Sequence, residues 1–168
     1  MGIFQTIRKF FDQKTENLIP YFLLVAVTLS LTMAVVSKLD AHPDERPHFK
    51  AAEYYLTHWL PTSFDDPAIK DSYSKEGHSR ILQLSIDHFL YGQFGKISTF
   101  FIDQTVIAFR YWSVLFFFFF FFVSLIRKEA NFLFWPLIIT PQVWYLFSYI
   151  NDDILPLVLS FVVVYQLV

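Results

Sequence analysis

"LIPYFLLVAVTLSLTMAVVSKLDAHPDERPHF", residues 18–49, decides how the chain is built. Its first part, Leu18 to Ser37, holds no formal charge over about 20 residues, enough helix to cross a hydrocarbon core of about 30 Å. Its second part crowds Asp40, His42, Asp44, Glu45, Arg46 and His48 around two prolines, Pro43 and Pro47, directly at the mouth of that apolar run. A cleaved signal peptide is the weaker reading of the run, which exceeds an h-region of about 7–15 residues and precedes no small-x-small site.

Composition agrees with a bilayer setting. Of 168 residues, 55% are hydrophobic and 21% aromatic, above what an ordinary soluble domain carries. The net charge of -2 offers no basic field for nucleic acid, and the absence of cysteine removes disulfides, thiolate metal sites and thiol nucleophiles. The expected fold is therefore all-α integral membrane. Four spans are expected, over 18–37, 106–126, 132–150 and 154–168, in one transmembrane module covering residues 1–168. The third contains Pro136 and Pro141 and should be kinked and packed against its neighbours. The fourth covers only about 22 Å and stops without an interfacial anchor, so the chain reads as an incomplete module. The phenylalanine run Phe116 to Phe122 reads as lipid-compatible filler.

Arg8, Lys9 and Lys14 precede the first span, and Arg127 and Lys128 join the second to the third, which puts the N-terminus and that link in the cytoplasm. The segment 38–105 and the turn Asn151-Asp152-Asp153 then share the outer face of a multi-pass protein, in a plasma membrane or the endoplasmic reticulum. Within the outer segment, "PHFKAAEYYLTHWL" places Phe49, Ala52, Leu56, Trp59 and Leu60 on one stripe, as in a helix lying in the interface plane. After a polar stretch, "ILQLSIDHFLYGQFGK" forms a second apolar-rich element, with bends expected at Gly92 and Gly95.

Asp44 and Glu45 sit just before the first interfacial helix, which is expected to begin at Pro47, and its free N–H groups and dipole favour ionised carboxylates. One of them as a simple cap is the plainer reading. Adjacent carboxylates flanked by His42 and His48, with a second acid pair Asp152-Asp153 on the same face, exceed what a cap requires. A Glu-x-x-His metal pair fails because Pro47 interrupts the helix on which Glu45 and His48 would converge, and no His-Glu-x-x-His, Gly-x-Ser-x-Gly or phosphate-loop pattern occurs. His58, His78 and His88 read as surface or interfacial residues. Without a charge deep in a span, a transport pathway is the weaker assignment.

"HPDE", residues 42–45, just after a first transmembrane helix resembles the first outer-loop motif of GT-C fold membrane glycosyltransferases, with His48 matching the Pro-Asp-Glu-x-x-His pattern of bacterial relatives. "INDD", residues 150–153, falls where the second acidic motif of that family belongs. The likeness extends over nearly the whole chain and implies a GT-C-like N-terminal module with two interfacial helices in the first outer loop. It further implies transfer of a sugar from a polyprenyl-phosphate donor to a glycan, lipid or protein acceptor, with inversion. By the resemblance Asp44 is the general base and Glu45 its partner in the catalytic pair. His42, His48, Asp152 and Asp153 contact substrate, and Asp44, Asp152 and Asp153 are candidate ligands for magnesium or manganese. Arg80 and Arg110 are candidates for the donor phosphate, because guanidinium binds phosphate in two-pronged fashion. The plainer readings are a solvated surface charge for Arg80 and snorkelling for Arg110. The competing assignment is a non-catalytic membrane subunit, or truncated pseudoenzyme, that binds a partner through its acidic outer face.

Overall fold

A computed structural model describes residues 13–75, 77–82 and 84–167. Arg8 and Lys9, two of the cations used to orient the chain, and Val168 lie outside the described residues. Among the described residues the regular elements are all helices, joined by turns and loops, and the β-type pairing is an isolated antiparallel bridge between Tyr73 and Ser79.

Two helices form the frame. Helix α1, Gln13–Val36, has 24 residues, or about 36 Å. The hydroxyls of its Thr28 and Thr32 donate to the carbonyls of Leu24 and Thr28, both at 2.8 Å, so neither needs water. The charged segment after α1 then folds as helix α2, Glu45–Tyr54, a short 3-10 helix, Pro67–Ser72, and helix α3, Ile86–Ser98. Helix α4, Thr105–Ile126, has 22 residues and runs antiparallel to α1. Both α1 and α4 are long and apolar enough to cross a membrane, yet only 39% of each candidate span is buried. Leu24, Val25, Leu29, Phe119 and Phe122 are among the large side chains left open, an apolar surface larger than water-exposed domains carry.

The expected third span is broken rather than kinked. A 3-10 helix, Lys128–Phe134, leads into α5, Trp135–Ile139, and α6, Pro141–Leu146. Pro136 and Pro141 each start a helix, and Thr140, at φ -107 and ψ 96, takes the extended backbone that the following proline imposes. Helix α7, Ile154–Gln166, has 13 residues, about 20 Å, too short to cross alone. The core joins Ile19, Leu23, Ala26 and Val27 of α1 to Phe117 and Phe120, with Phe134, Leu137, Phe147, Ile154 and Val158 closing it. The phenylalanine run is therefore more than filler, since Phe117 stacks on Phe147 at 4.7 Å while Phe119 and Phe122 face outward.

In the segment between the two long helices α2 ends earlier than the apolar stripe suggests. The carbonyl of Tyr54 still accepts the N–H of His58 at 3.2 Å, but the next one, that of Tyr55, accepts the side-chain amide of Gln93 of α3 at 2.8 Å, an acceptor that a continuing helix would use. Phe49 and Ala52 are buried as expected, but Trp59 and Leu60 lie beyond the helix and are exposed. Helix α3 also corrects an expectation, for it runs straight through Gly92 and Gly95. A Cβ at Gly92 would lie 2.6 Å from the backbone carbon of Tyr55, and one at Gly95 would lie 2.1 Å from the Phe109 ring. Close approach of α2 and α4 to α3, not bending, requires glycine at both positions.

Because Tyr55 meets Gly92 through its main chain, Gly92→Ala has no flexible neighbour to displace. It should lower stability by about 1–3 kcal/mol, measured as a shift in the unfolding midpoint in detergent, and leave the isolated turn glycine Gly77 as the tolerant control only for residues that accept its φ of 82°.

Candidate functional site

The two acidic motifs meet at one end of the bundle, and the residue that joins them is Glu45. It is fully buried, the first residue of α2, and pairs with Arg110 of α4, also fully buried. Arg110 Nε and Nη2 each donate to one carboxylate oxygen at 2.7 Å. Nη1 donates to the carbonyls of Ala34 and Ser37 at 2.9 and 2.6 Å, and Nη2 to that of Lys38 at 3.1 Å. All five guanidinium N–H donors are thus used, three of them on carbonyls at the C-terminus of α1, where unpaired acceptors and the helix dipole favour a cation. Glu45 is equally saturated, since it also accepts the backbone N–H of Asp40 at 3.3 Å and of Ile150 at 3.4 Å.

This corrects two expectations. Arg110 neither snorkels nor presents itself to a phosphate, because its donors are spent inside the protein. Glu45 has no lone pair left for a sugar and serves as a structural anchor. The Ile150 bond also carries the first motif directly to the second. From there Asn151 shapes the acid turn, its amide donating to the carbonyls of Leu146 and Tyr149 at 2.8 and 3.1 Å and its side-chain oxygen accepting the N–H of Asp153 at 3.0 Å.

Asp44 is oriented oppositely to its neighbour. Its φ of 53° is left-handed, a region that a short acidic side chain tolerates, and its carboxylate caps nothing. It remains 29% exposed and faces Lys75 Nζ at 3.2 Å. Asp152, 43% exposed, is held by Arg80 Nη1 at 3.0 Å and lies 3.7 Å from His48 Nε2. Arg80 is therefore a member of the site, not a solvated surface charge. Asp44, Arg80 and Asp152 all act electrostatically on His48, so residues of both acidic motifs influence one histidine.

His48 continues to His88, with Nδ1 and Nε2 2.8 Å apart. Burial pushes His48 down to about 4, the charge of Asp152 opposing it, and holds His88 well below the usual imidazole range. Both rings are neutral near pH 7, so one proton lies between them. The anionic Asp152 favours that His48 keep its proton on Nε2, which makes His88 the donor to Nδ1. His88, expected at the surface, is instead 1% exposed; nothing in a lone "DH" pair signals this. His42 is buried too, with Nδ1 2.6 Å from the Tyr145 hydroxyl and its ring stacked on Tyr149 at 4.8 Å. Burial lowers its pKa, and the nearby Glu45 charge opposes the shift.

A carboxylate that sequence reading passed over, Asp87, completes the cluster. Burial raises it to about 6, countered by the N–H of Leu155 and reinforced by the charges of Asp152 and Asp153. Asp153 is raised as well, first by burial and then by Asp152. The acids do not make a metal centre: among the described residues no three His, Cys, Asp or Glu side chains group to hold an ion. Of the candidate ligands Asp44, Asp152 and Asp153, the first faces Lys75 and the second is held by Arg80. Polar atoms do remain unspent on the protein, namely Arg80 Nε, His88 Nδ1 and His42 Nε2. Apolar clefts of about 350 and 420 Å³ lie at the other end of the bundle, against Phe119, Ile126 and Phe161 and against Leu18 and Leu125.

Arg110→Leu leaves Glu45 buried without its counter-charge and should cost about 3–5 kcal/mol; the double variant with Glu45→Leu should lose less than the sum of the single ones when unfolding is followed in detergent. Asp87 has its folded pKa above the unfolded 3.8, so its protonated form stabilises the fold below that value and the contribution disappears as pH rises through about 6. Asp87→Asn should accordingly be less pH-sensitive than the parent between pH 4 and 7, and relatively more stable at pH 7, in thermal melts across that range. No protein-family model, no curated protein and no solved structure matches this chain.

Proposed function

We propose that the chain is the N-terminal module of a GT-C type integral membrane glycosyltransferase, in which α1 and α4 cross the bilayer and the acid cluster lies on the outer face. The observation that carries this reading is that Asp152 lies 3.7 Å from His48 while Asp44, from a motif far away in the chain, also acts electrostatically on that ring. An acid pair at the end of two apolar helices suits a donor whose polyprenyl tail stays in hydrocarbon while its sugar-phosphate bond sits at the boundary.

In this reading Asp44 is the general base. An acceptor hydroxyl oxygen attacks the anomeric carbon as the bond from that carbon to the phosphate oxygen breaks, its proton passes to Asp44, and polyprenyl phosphate leaves as the anion with inversion at the sugar. Lys75, 78% exposed and now on Asp44, is free to turn to the incoming phosphate, which unmasks the base. Asp152, fixed by Arg80 and 43% exposed, accepts from a substrate hydroxyl. Glu45 and Arg110 act as positioning residues. No step is assigned to a divalent cation.

A second reading keeps the topology and drops the chemistry. Because Lys75 and Arg80 already pair both acids, the same face can serve as a partner-binding surface of a non-catalytic subunit. In membranes containing the full chain, incorporation of radiolabelled hexose from polyprenyl-phosphate hexose into outer-face acceptors distinguishes them. Asp44→Asn should reduce transfer by about 10²–10⁴-fold. Transfer unchanged by this substitution would favour the non-catalytic reading, as would parent membranes no more active than membranes lacking the chain.

A further inference from the structure

Apolar exposure does not end with the two long helices. Where α2 stops, Trp59 and Leu60 emerge at 66% and 72% exposure, and at the end of α3 Ile97, Phe100 and Phe101 are 63%, 85% and 85% exposed. The two stretches belong to one patch. Lys96 Nζ lies 5.1 Å over the Trp59 ring, and that ring is 5.5 Å from Phe89 of α3.

The patch is continuous with the frame. Helix α3 lies along the start of α4, with Ser98 Oγ donating to the carbonyl of Ala108 at 3.3 Å and Phe94 against Trp112 at 5.0 Å. Phe101 therefore sits just ahead of Thr105, the first residue of the second long apolar helix, at the same end of the bundle as the acid cluster. Open rings of this size are costly against water, whereas aromatics beside a lysine are what the boundary between headgroups and acyl chains accepts. Chain connectivity puts the patch at that boundary once α4 is in the bilayer.

We infer that Trp59, Leu60, Ile97, Phe100 and Phe101 form a lip that inserts into the membrane leaflet at the acid-bearing end, with Lys96 meeting lipid phosphate. The lip ties α2 and α3, which carry His48 and His88, to the lipid surface and so holds the acid cluster at headgroup depth. It does this whatever reaction the cluster performs, and it does not rest on the glycosyltransferase reading.

The chain has no cysteine, which makes the test clean. Phe101→Cys and Leu60→Cys, with Asp71→Cys from the polar part of the segment as reference, are each labelled with a nitroxide and reconstituted into vesicles of phosphatidylcholine and phosphatidylglycerol. Labels at 60 and 101 should collide with oxygen more than with a water-soluble nickel chelate, at a depth of about 5–10 Å below the headgroups, and the label at 71 should show the reverse. Equal access of the nickel chelate at all three positions overturns the inference. Shielding of positions 60 and 101 from both relaxers also overturns it, since that pattern marks a protein surface, a second copy included, in place of lipid.

Discussion

A buried carboxylate and a buried guanidinium are expensive to remove from water, and a pair of them survives only when every lone pair and every N–H finds a partner. Glu45 and Arg110 meet that condition. The arginine consumes its five donors on one carboxylate and three carbonyls, and the glutamate adds two backbone N–H groups. The pair thereby knots the C-terminus of α1, the loop after it, the N-terminus of α2, the second turn of α4 and the chain just before the Asp152 turn. Five separate pieces of chain share one electrostatic centre.

That centre explains why adjacent acids have different fates. Glu45, in helical conformation, points inward and is used up. Asp44, one residue earlier in a left-handed conformation, keeps a partly exposed carboxylate within reach of Lys75. The same knot brings Ile150 against Glu45 and so sets where Asp152 and Asp153 emerge. Local backbone geometry thus divides one dipeptide into a scaffold residue and a candidate reagent.

Packing at this end is set by absence of bulk as much as by charge. Gly92 and Gly95 let α3 touch both α2 and α4, and this contact delivers His88 to His48. At the other end large aromatic rings fill the space between α1, α4 and α7. Polar chemistry is therefore gathered at the tight, glycine-lined end, and the apolar clefts are left at the loose, aromatic one.

The two long helices were legible in the chain because a run of uncharged apolar residues of sufficient length leaves a helix as the only way to satisfy its backbone in lipid. The positions of Asp44, His48 and Asp152 as site candidates were legible too, because ionisable groups at the mouth of such a run are conspicuous. The partners were not. Arg110 lies 65 positions from Glu45, and a lone arginine near a helix end reads the same whether it snorkels or pairs. His88 and Asp87 carry no local signature of burial, since glycines one and two helical turns further along, Gly92 and Gly95, decide how close α3 comes. The prolines marked a disturbance in the third apolar stretch, but whether it kinks or breaks depends on neighbours. Hydrophobic pattern and charge are properties of residues in order along the chain and fix which segments are helical; which donor meets which acceptor depends on distances across the fold, and only the tertiary structure sets those.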